Sequence, residues 1–512
     1  MESERTLARM PSLKLNAVSN WLPLGVNIII GFLLMPYLID KLGPTRYGIW
    51  ALVGSFVGYY GFLRLGVGTG IMRYVPFYVG RKDNISVSEV VSTGLVIFLA
   101  AGLIILILSM ITAESIAHFF NEGSEFAALI RVLGLAAAIE CPMRMFDTTV
   151  LAHERWIACN LITTMASIMR AIGLVGCVYF GYGLVEMGYV VLSVSVFCLI
   201  SVVIIFIRVC RNVRIGISKV KFPHVKALIS FGLLSIIVAL AWSYTLQGHK
   251  LIIGKLISME AVTIYAVAAM IMKNARNVVV SPNRVFWPRF AHLDGQSHLE
   301  EARSLFCQAT KYNTLFASLI ILVVILFGPA FIELWMKRVE EGFEMVYPVL
   351  TILAIGYLIE TSLAVIPSLL SGMGLQKVKA ALAIAEGILG LGLSILMTWK
   401  MGMAGTALGF TISIALMRGF LSSWYVCSLF KISVLKYYLD SLVRPWLIMA
   451  TIAAIAYYSN LPDYINGWPS LIFLSLAITV LFVICIYIAG MNSSERRDML
   501  SLIGTRLAKN KN

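Results

Sequence analysis

The sequence predicts an all-α polytopic membrane protein with about fourteen transmembrane helices: two six-helix lobes around a central cavity, followed by two C-terminal helices. Three observations carry this. Of 512 residues, 59% are hydrophobic and only 13% charged, and the mean hydropathy is +0.88, which is far more apolar than a water-soluble domain. Apolar runs of spanning length recur along the whole chain. Lys and Arg are confined to short segments between those runs and favour alternate ones.

A spanning helix needs about 20 mainly apolar residues, because in hydrocarbon only a helix satisfies its own backbone. Fourteen segments qualify: residues 16–38, 48–66, 88–112, 127–149, 157–179, 183–207, 227–248, 261–283, 314–336, 347–370, 380–399, 403–430, 443–459 and 468–489. The polar, basic N-terminus leads into the first of these without a small-residue cleavage site, so the first span is expected to remain as a signal anchor. With the N-terminus inside, the inside segments hold 26 Lys and Arg and the outside ones 7. The positive-inside rule therefore places both termini in the cytoplasm. The most basic segment, residues 208–226, joins the sixth and seventh spans, whereas the outside loop 113–125 is acidic. The expected organisation is an N-terminal lobe (1–215), a C-terminal lobe (216–430), and two helices with a cytoplasmic tail (431–512).

A spacing near 221 residues links the halves. Gly181 and Gly188, opening the sixth span, correspond to Gly402 and Gly409, opening the twelfth, and each pair is followed by an aromatic, Tyr189 or Phe410. Residues 153–155 after the fourth span correspond to 374–377 after the tenth. The stretches 73–83 and 284–294 each carry an Arg, then Pro76 or Pro288, then a polar end. Such a repeat predicts two bundles around one cleft.

Several function classes fall away. The net charge of +15 is distributed as membrane-orienting clusters, which excludes a nucleic-acid interface. The eight cysteines are dispersed without a Cys-x-x-Cys pair and read as small core residues, with no metal site expected. A membrane glycosyltransferase or polymerase needs acids in a sizeable outside loop, and the longest, 113–125 and 337–346, lack an Asp-x-Asp. No Walker-type phosphate loop is present, so no nucleotide cofactor is expected.

Ionisable residues at mid-membrane are costly and need a partner or an aqueous cavity. In the eighth span Lys273, Asn277 and Arg284 fall within about 40° of one direction at 100° per residue, with Arg276 about 60° to one side. A cationic stripe without an acid in its own helix suits a cavity for an anion such as a pyrophosphate or acidic sugar; snorkelling of Arg276 and Arg284 is the alternative. In the fourth span Glu140, Arg144 and Asp147 share a face and can neutralise one another. Glu360 in the tenth span and Glu386 in the eleventh stand in apolar runs, with Arg418 and Arg170 as available partners. These four acids are the candidate ion-coupling sites. At the end of the seventh span, Trp242, Tyr244, Gln247, His249 and Lys250 suit sugar contact or interfacial anchoring. Among the prolines, Pro282 is the expected hinge.

The segments Leu42-Gly43-Pro44-Thr45-Arg46-Tyr47-Gly48, Leu65-Gly66-Val67-Gly68-Thr69 with Arg73, and Leu370-Ser371-Gly372-Met373-Gly374 with Lys377 resemble signatures of the polysaccharide-type flippases of the multidrug, oligosaccharidyl-lipid and polysaccharide exporter superfamily. The resemblance implies two six-helix lobes that rock between inward-open and outward-open states. It also implies translocation of a polyprenyl-pyrophosphate-linked oligosaccharide to the outer leaflet for O-antigen, capsule or exopolysaccharide synthesis. Drug exporters of the superfamily usually have twelve helices and often an acid in the first. Here the first span offers Asn20 and Asn27, seven apart on one face, and no carboxylate. A peptidoglycan-precursor flippase and an ion-coupled small-molecule exporter remain the alternatives. Expected partners are the lipid-linked oligosaccharide, membrane lipid, and a polymerase and chain-length regulator of the polysaccharide pathway, in the inner membrane.

Overall fold

Helices form wherever the chain offers long apolar runs without a competing break, and glycine or proline sits at many of the interruptions. The computed structural model describes residues 19, 21–64, 66–153, 155–226, 228–229, 247–296, 298–337 and 343–490. Among these the regular structure is helical, in two compact units meeting at Ala266 and Val267. Ten helical runs are long and apolar enough to cross a bilayer. One of them, Gln376–Leu429, is 54 residues long and holds the eleventh and twelfth predicted spans. Of the other three predicted spans, the second and eighth are shorter or more polar helices. The seventh lies mostly outside the described residues, as do Trp242 and Tyr244.

In the first unit, α1 (Trp21–Leu42) turns at Gly43, whose φ of +80° suits glycine, into α2 (Pro44–Tyr60), where Pro44 takes the first turn. A 3₁₀ turn, Gly61–Arg64, then leads through Gly66, at φ +61°, into α3 (Val67–Gly80). The second resembling segment is thus a break after which helix resumes. Asp83 caps α4 (Asn84–Phe119), accepting from Ser86 N–H at 3.0 Å. At 36 residues, α4 is about 54 Å long and exceeds the hydrocarbon thickness. Then follow α5 (Ser124–Ala152), α6 (Trp156–Tyr179) and α7 (Leu184–Val209). The centre of this unit is α5, 61% buried over its apolar window. Small residues admit the close approach: a Cβ on Gly134 would lie 2.2 Å from Ser109 Oγ, and one on Gly102 2.8 Å from Ala138 O. After the described α8 (His249–Leu256), α9 (Met259–Val280) crosses the boundary between the units.

The second unit reuses the plan. The tail of α9 passes through a 3₁₀ turn, Ser281–Val285, into α10 (Phe286–Gly295), as α2 passes into α3. The long α11 (Leu299–Met336) matches α4. The buried centre is the run of α12 (Val346–Ser362) and α13 (Val365–Gly372), with 78% of its apolar window covered. A Cβ on Gly372 would meet Phe290 Cβ at 2.6 Å, so the third resembling segment docks α13 on α10. Next, α14 (Gln376–Ile414) folds back on itself at Gly402, φ +60°, the counterpart of Gly181 at φ +77° and 221 residues after it. A π-helical turn, Ala415–Ser422, joins α14 to α15 (Ser423–Leu429). Then come α16 (Val434–Tyr438), α17 (Arg444–Tyr458) and α18 (Trp468–Cys485). The outer faces carry large uncovered apolar side chains, among them Leu103, Ile111, Ile172, Ile207 and Leu396. Such belts mark lipid contact.

Candidate functional site: a buried charge network

Four charged side chains from three helices and the π-turn meet inside the second unit. Glu360 of α12 is fully buried. Arg276 of α9 grips it with both edges of its fork, Nε donating to Oε2 at 2.9 Å and Nη2 to Oε1 at 3.1 Å. Arg418 donates from Nη1 to the same Glu360 Oε1 at 2.6 Å. It also donates to Glu386 of α14, Nε to Oε2 at 2.8 Å and Nη2 to Oε1 at 3.0 Å. Two cations and two anions leave the cluster neutral, the only form in which such a group is tolerable in a low-dielectric interior. The tenth span thus supplies the acid for Arg276 that the eighth lacks, and Glu386 takes Arg418, one of the two basic partners available to it.

The π-turn presents Arg418. A π-helical turn frees backbone carbonyls and re-aims side chains, and it recurs at functional sites. Here Ser423 Oγ donates to Arg418 O at 3.0 Å and the Tyr438 hydroxyl donates to Gly419 O. Below Glu360, Asn313 Nδ2 donates to Thr361 O at 2.7 Å, and Thr361 Oγ1 to Tyr357 O at 2.6 Å. Glu360 and Arg418 are thus held on braced backbone.

Along α9, Lys273 is exposed one turn before Arg276, and Asn277 is half-buried. Arg284 sits in the following 3₁₀ turn, its side chain outside the described residues, and Pro282 in that turn is exposed. Next to it, Asn283 is buried with Nδ2 lacking a hydrogen-bond partner among the described residues. In the first unit, Asp147 and Arg144 of α5 approach to 3.7 Å, an ion pair too long for a hydrogen bond. Glu140 accepts from Ser195 Oγ of α7 at 3.3 Å. Asn27 is exposed, and its amide donates to Pro23 O at 2.7 Å, within its own helix. Asn20 lies outside the described residues. His249 is buried against Tyr265, ring centroids 5.6 Å apart.

The sequence carried one unused signal for this site. Glu386 and Arg418 are each sixteen residues from Gly402, and residues equidistant from the turn of an antiparallel helical hairpin lie at the same level along it. The bracing by Ser423 and Tyr438 had no such signal, since a π-turn has no fixed composition.

The first resembling segment is placed by charge as well as by its turn. Arg46 Nη2 donates to Glu125 Oε1 at 2.7 Å, and the same carboxylate oxygen receives Leu184 N–H at 3.3 Å. It ties together the starts of α2, α5 and α7. Residues 15–294 match the family model described as polysaccharide biosynthesis protein. The chain belongs to that family. A Shigella flexneri protein named "Putative O-antigen transporter" is 20% identical over 427 residues, covering 81% of this chain and 99% of that one. Among solved structures, an inward-facing multidrug resistance MATE family transporter of the MOP superfamily aligns with a TM-score of 0.68 at 17% identity, covering 80% of this chain and 98% of its own. The lipid II flippase MurJ in an inward closed conformation aligns at 0.68 and 14% identity, covering 92% and 98%. At those identities the structures establish the fold: this member of the family is a multi-pass, all-helical membrane protein built like the transporters of that superfamily.

Proposed function

We propose that the chain is a flippase moving a polyprenyl-pyrophosphate-linked oligosaccharide from the cytoplasmic to the outer leaflet of the inner membrane by alternating access. Its product feeds synthesis of a surface polysaccharide such as O-antigen, capsule or exopolysaccharide. The supporting observation is the cationic end of α9 in a member of this family. Arg276 presents a bidentate fork already geared to an oxyanion, and Lys273 lies exposed one turn away. A guanidinium that grips a carboxylate with two parallel bonds grips a phosphate in the same way. Asn277 and Arg284 extend the stripe; separately, Asn20 and Asn27 of the first span are candidate amide partners for sugar hydroxyls. The acids Glu360, Asp147, Glu140 and Glu386 are the candidates for ion coupling, and protonation at Glu360 or Glu386 would also loosen the arginines. A downstream polymerase consumes the product, with a chain-length regulator as its partner in the pathway.

The test is complementation of a flippase-null strain with Lys273→Gln/Arg276→Gln, expression being followed by membrane immunoblot. Loss of polysaccharide export at normal membrane abundance is expected. Full export would remove the cationic stripe from the mechanism.

A further inference from the structure

We infer that Glu360 is a built-in competitor for the pyrophosphate of the substrate, occupying Arg276 when the site is empty and retained by Arg418 when the substrate displaces it. This deepens the flippase reading and rests on it.

The argument begins with the unequal standing of the two arginines. Arg418 is locked: its Nε and Nη2 are spent on Glu386, its Nη1 on Glu360, and the turn that carries it is capped by Ser423 and Tyr438. Arg276 holds Glu360 from the end of a helix, and its side chain is the more open of the two, 15% against 8%.

Glu360 is placed to survive the exchange. A fully buried carboxylate stripped of its only cation is strongly disfavoured, but Glu360 keeps the 2.6 Å bond from Arg418 when Arg276 leaves. Without that second arginine, no substrate anion would take Arg276 away cheaply. The charges also sum correctly. With Arg276 paired to Glu360 the four groups are neutral, whereas release of Arg276 adds its charge to that of Lys273, matching the two negative charges of a pyrophosphate diester. Lys273 forms no ion pair with the described residues.

The competitor gives selectivity as well as reversibility. A neutral polyprenol offers nothing in exchange for the broken ion pair, so it is rejected, and a charged headgroup arriving at Arg276 is later expelled by the returning carboxylate. Apparent affinity is lowered by the fraction of molecules in which Arg276 is engaged.

The experiment measures binding of undecaprenyl pyrophosphate and of undecaprenol to the full chain in nanodiscs, for wild type, Glu360→Gln, Glu360→Asp, Arg276→Gln and the double variant Arg276→Gln/Glu360→Gln. The expectation is that Glu360→Gln binds undecaprenyl pyrophosphate at least about threefold tighter than wild type, with slower release. In the Arg276→Gln background the same change gives no gain. Where Glu360→Gln yields no monodisperse protein, Glu360→Asp, which draws the carboxylate back from Arg276 while keeping its charge, carries the test and is expected to tighten binding in the same direction. Unchanged or weaker binding in the folded Glu360 variant, with wild type still preferring the pyrophosphate and Arg276→Gln still losing it, overturns the competitor role alone. Equal binding of undecaprenyl pyrophosphate and undecaprenol by wild type overturns the flippase reading beneath it.

Discussion

Glu386 and Arg418, sixteen residues to either side of Gly402, close the α14 hairpin with a bidentate pair at 2.8 and 3.0 Å. Removing one member of a buried pair typically costs about 3–5 kcal/mol because the other is left without compensation. The two single variants should differ. Glu386→Gln leaves Arg418 with Glu360, whereas Arg418→Gln strands Glu386 and leaves Glu360 to Arg276. Thermal unfolding in detergent should therefore rank wild type above Glu386→Gln and Glu386→Gln above Arg418→Gln, with the double Gln variant recovering part of the loss. Additive losses in that cycle would show that the pair is not coupled.

Small residues on the returning limb of the hairpin set its spacing. A Cβ on Gly409 would lie 2.5 Å from Ser394 Cα and N, all backbone, so Gly409→Ala must push the limbs apart. Gly392, with nothing within 4 Å of its Cβ position, is the control, and there alanine gains up to about 1 kcal/mol of helix propensity. Size-exclusion profiles of the two variants should separate, with Gly409→Ala aggregating and Gly392→Ala eluting as wild type. Identical profiles would contradict the close packing.

Much of this arrangement was legible in the chain. The spans follow from apolar run length. The 221-residue repeat reappears in the paired turns at Gly181 and Gly402 and in the 3₁₀ breaks that precede α3 and α10. Repeat matches failed where local capping differs, as at His153, φ −91°, against Gly374, φ +71°. The pairing of Glu360 with Arg276 was not legible. Nothing within one helix specifies which face of another it meets, and an acid 84 residues away looks isolated until the helices pack. In the first unit, Arg144 and Asp147 approach to 3.7 Å, and Glu140 also accepts from Ser195 of α7.

At the start of α4 the Asp83 carboxyl is held below its usual range by its hydrogen bonds from Ser86, from the hydroxyl at 2.6 Å and from the backbone at 3.0 Å, with Arg81 adding a smaller effect. A depressed value means that the cap is fully present above the ordinary carboxylate pKa of about 3.9 and is lost as pH falls through the lower folded value. Hydrogen exchange of the first-turn amides of α4 should accelerate, relative to mid-helix amides, on acidification below about pH 4 in wild type. Asp83→Asn should abolish that pH dependence.

The 26 to 7 division of Lys and Arg between the two sides predicts cytoplasmic termini. Single cysteines at His118, exposed near the end of α4, and at Lys219, in the turn after α7, in a cysteine-free background should react with a membrane-impermeant maleimide from opposite sides. Residue 118 should label in intact cells and residue 219 only after permeabilisation. Labelling of both from one side would contradict the topology.

The most direct measurement of the central claim is leaflet exchange in proteoliposomes. A fluorescent polyprenyl-pyrophosphate-linked sugar is reconstituted with the purified protein, and the protected inner-leaflet fraction is followed with a membrane-impermeant quencher. Wild type is predicted to make the inner-leaflet pool accessible, and Lys273→Gln/Arg276→Gln to leave it protected at equal reconstitution. Exchange by the double variant at the wild-type rate, or none by wild type above empty liposomes, would contradict the account.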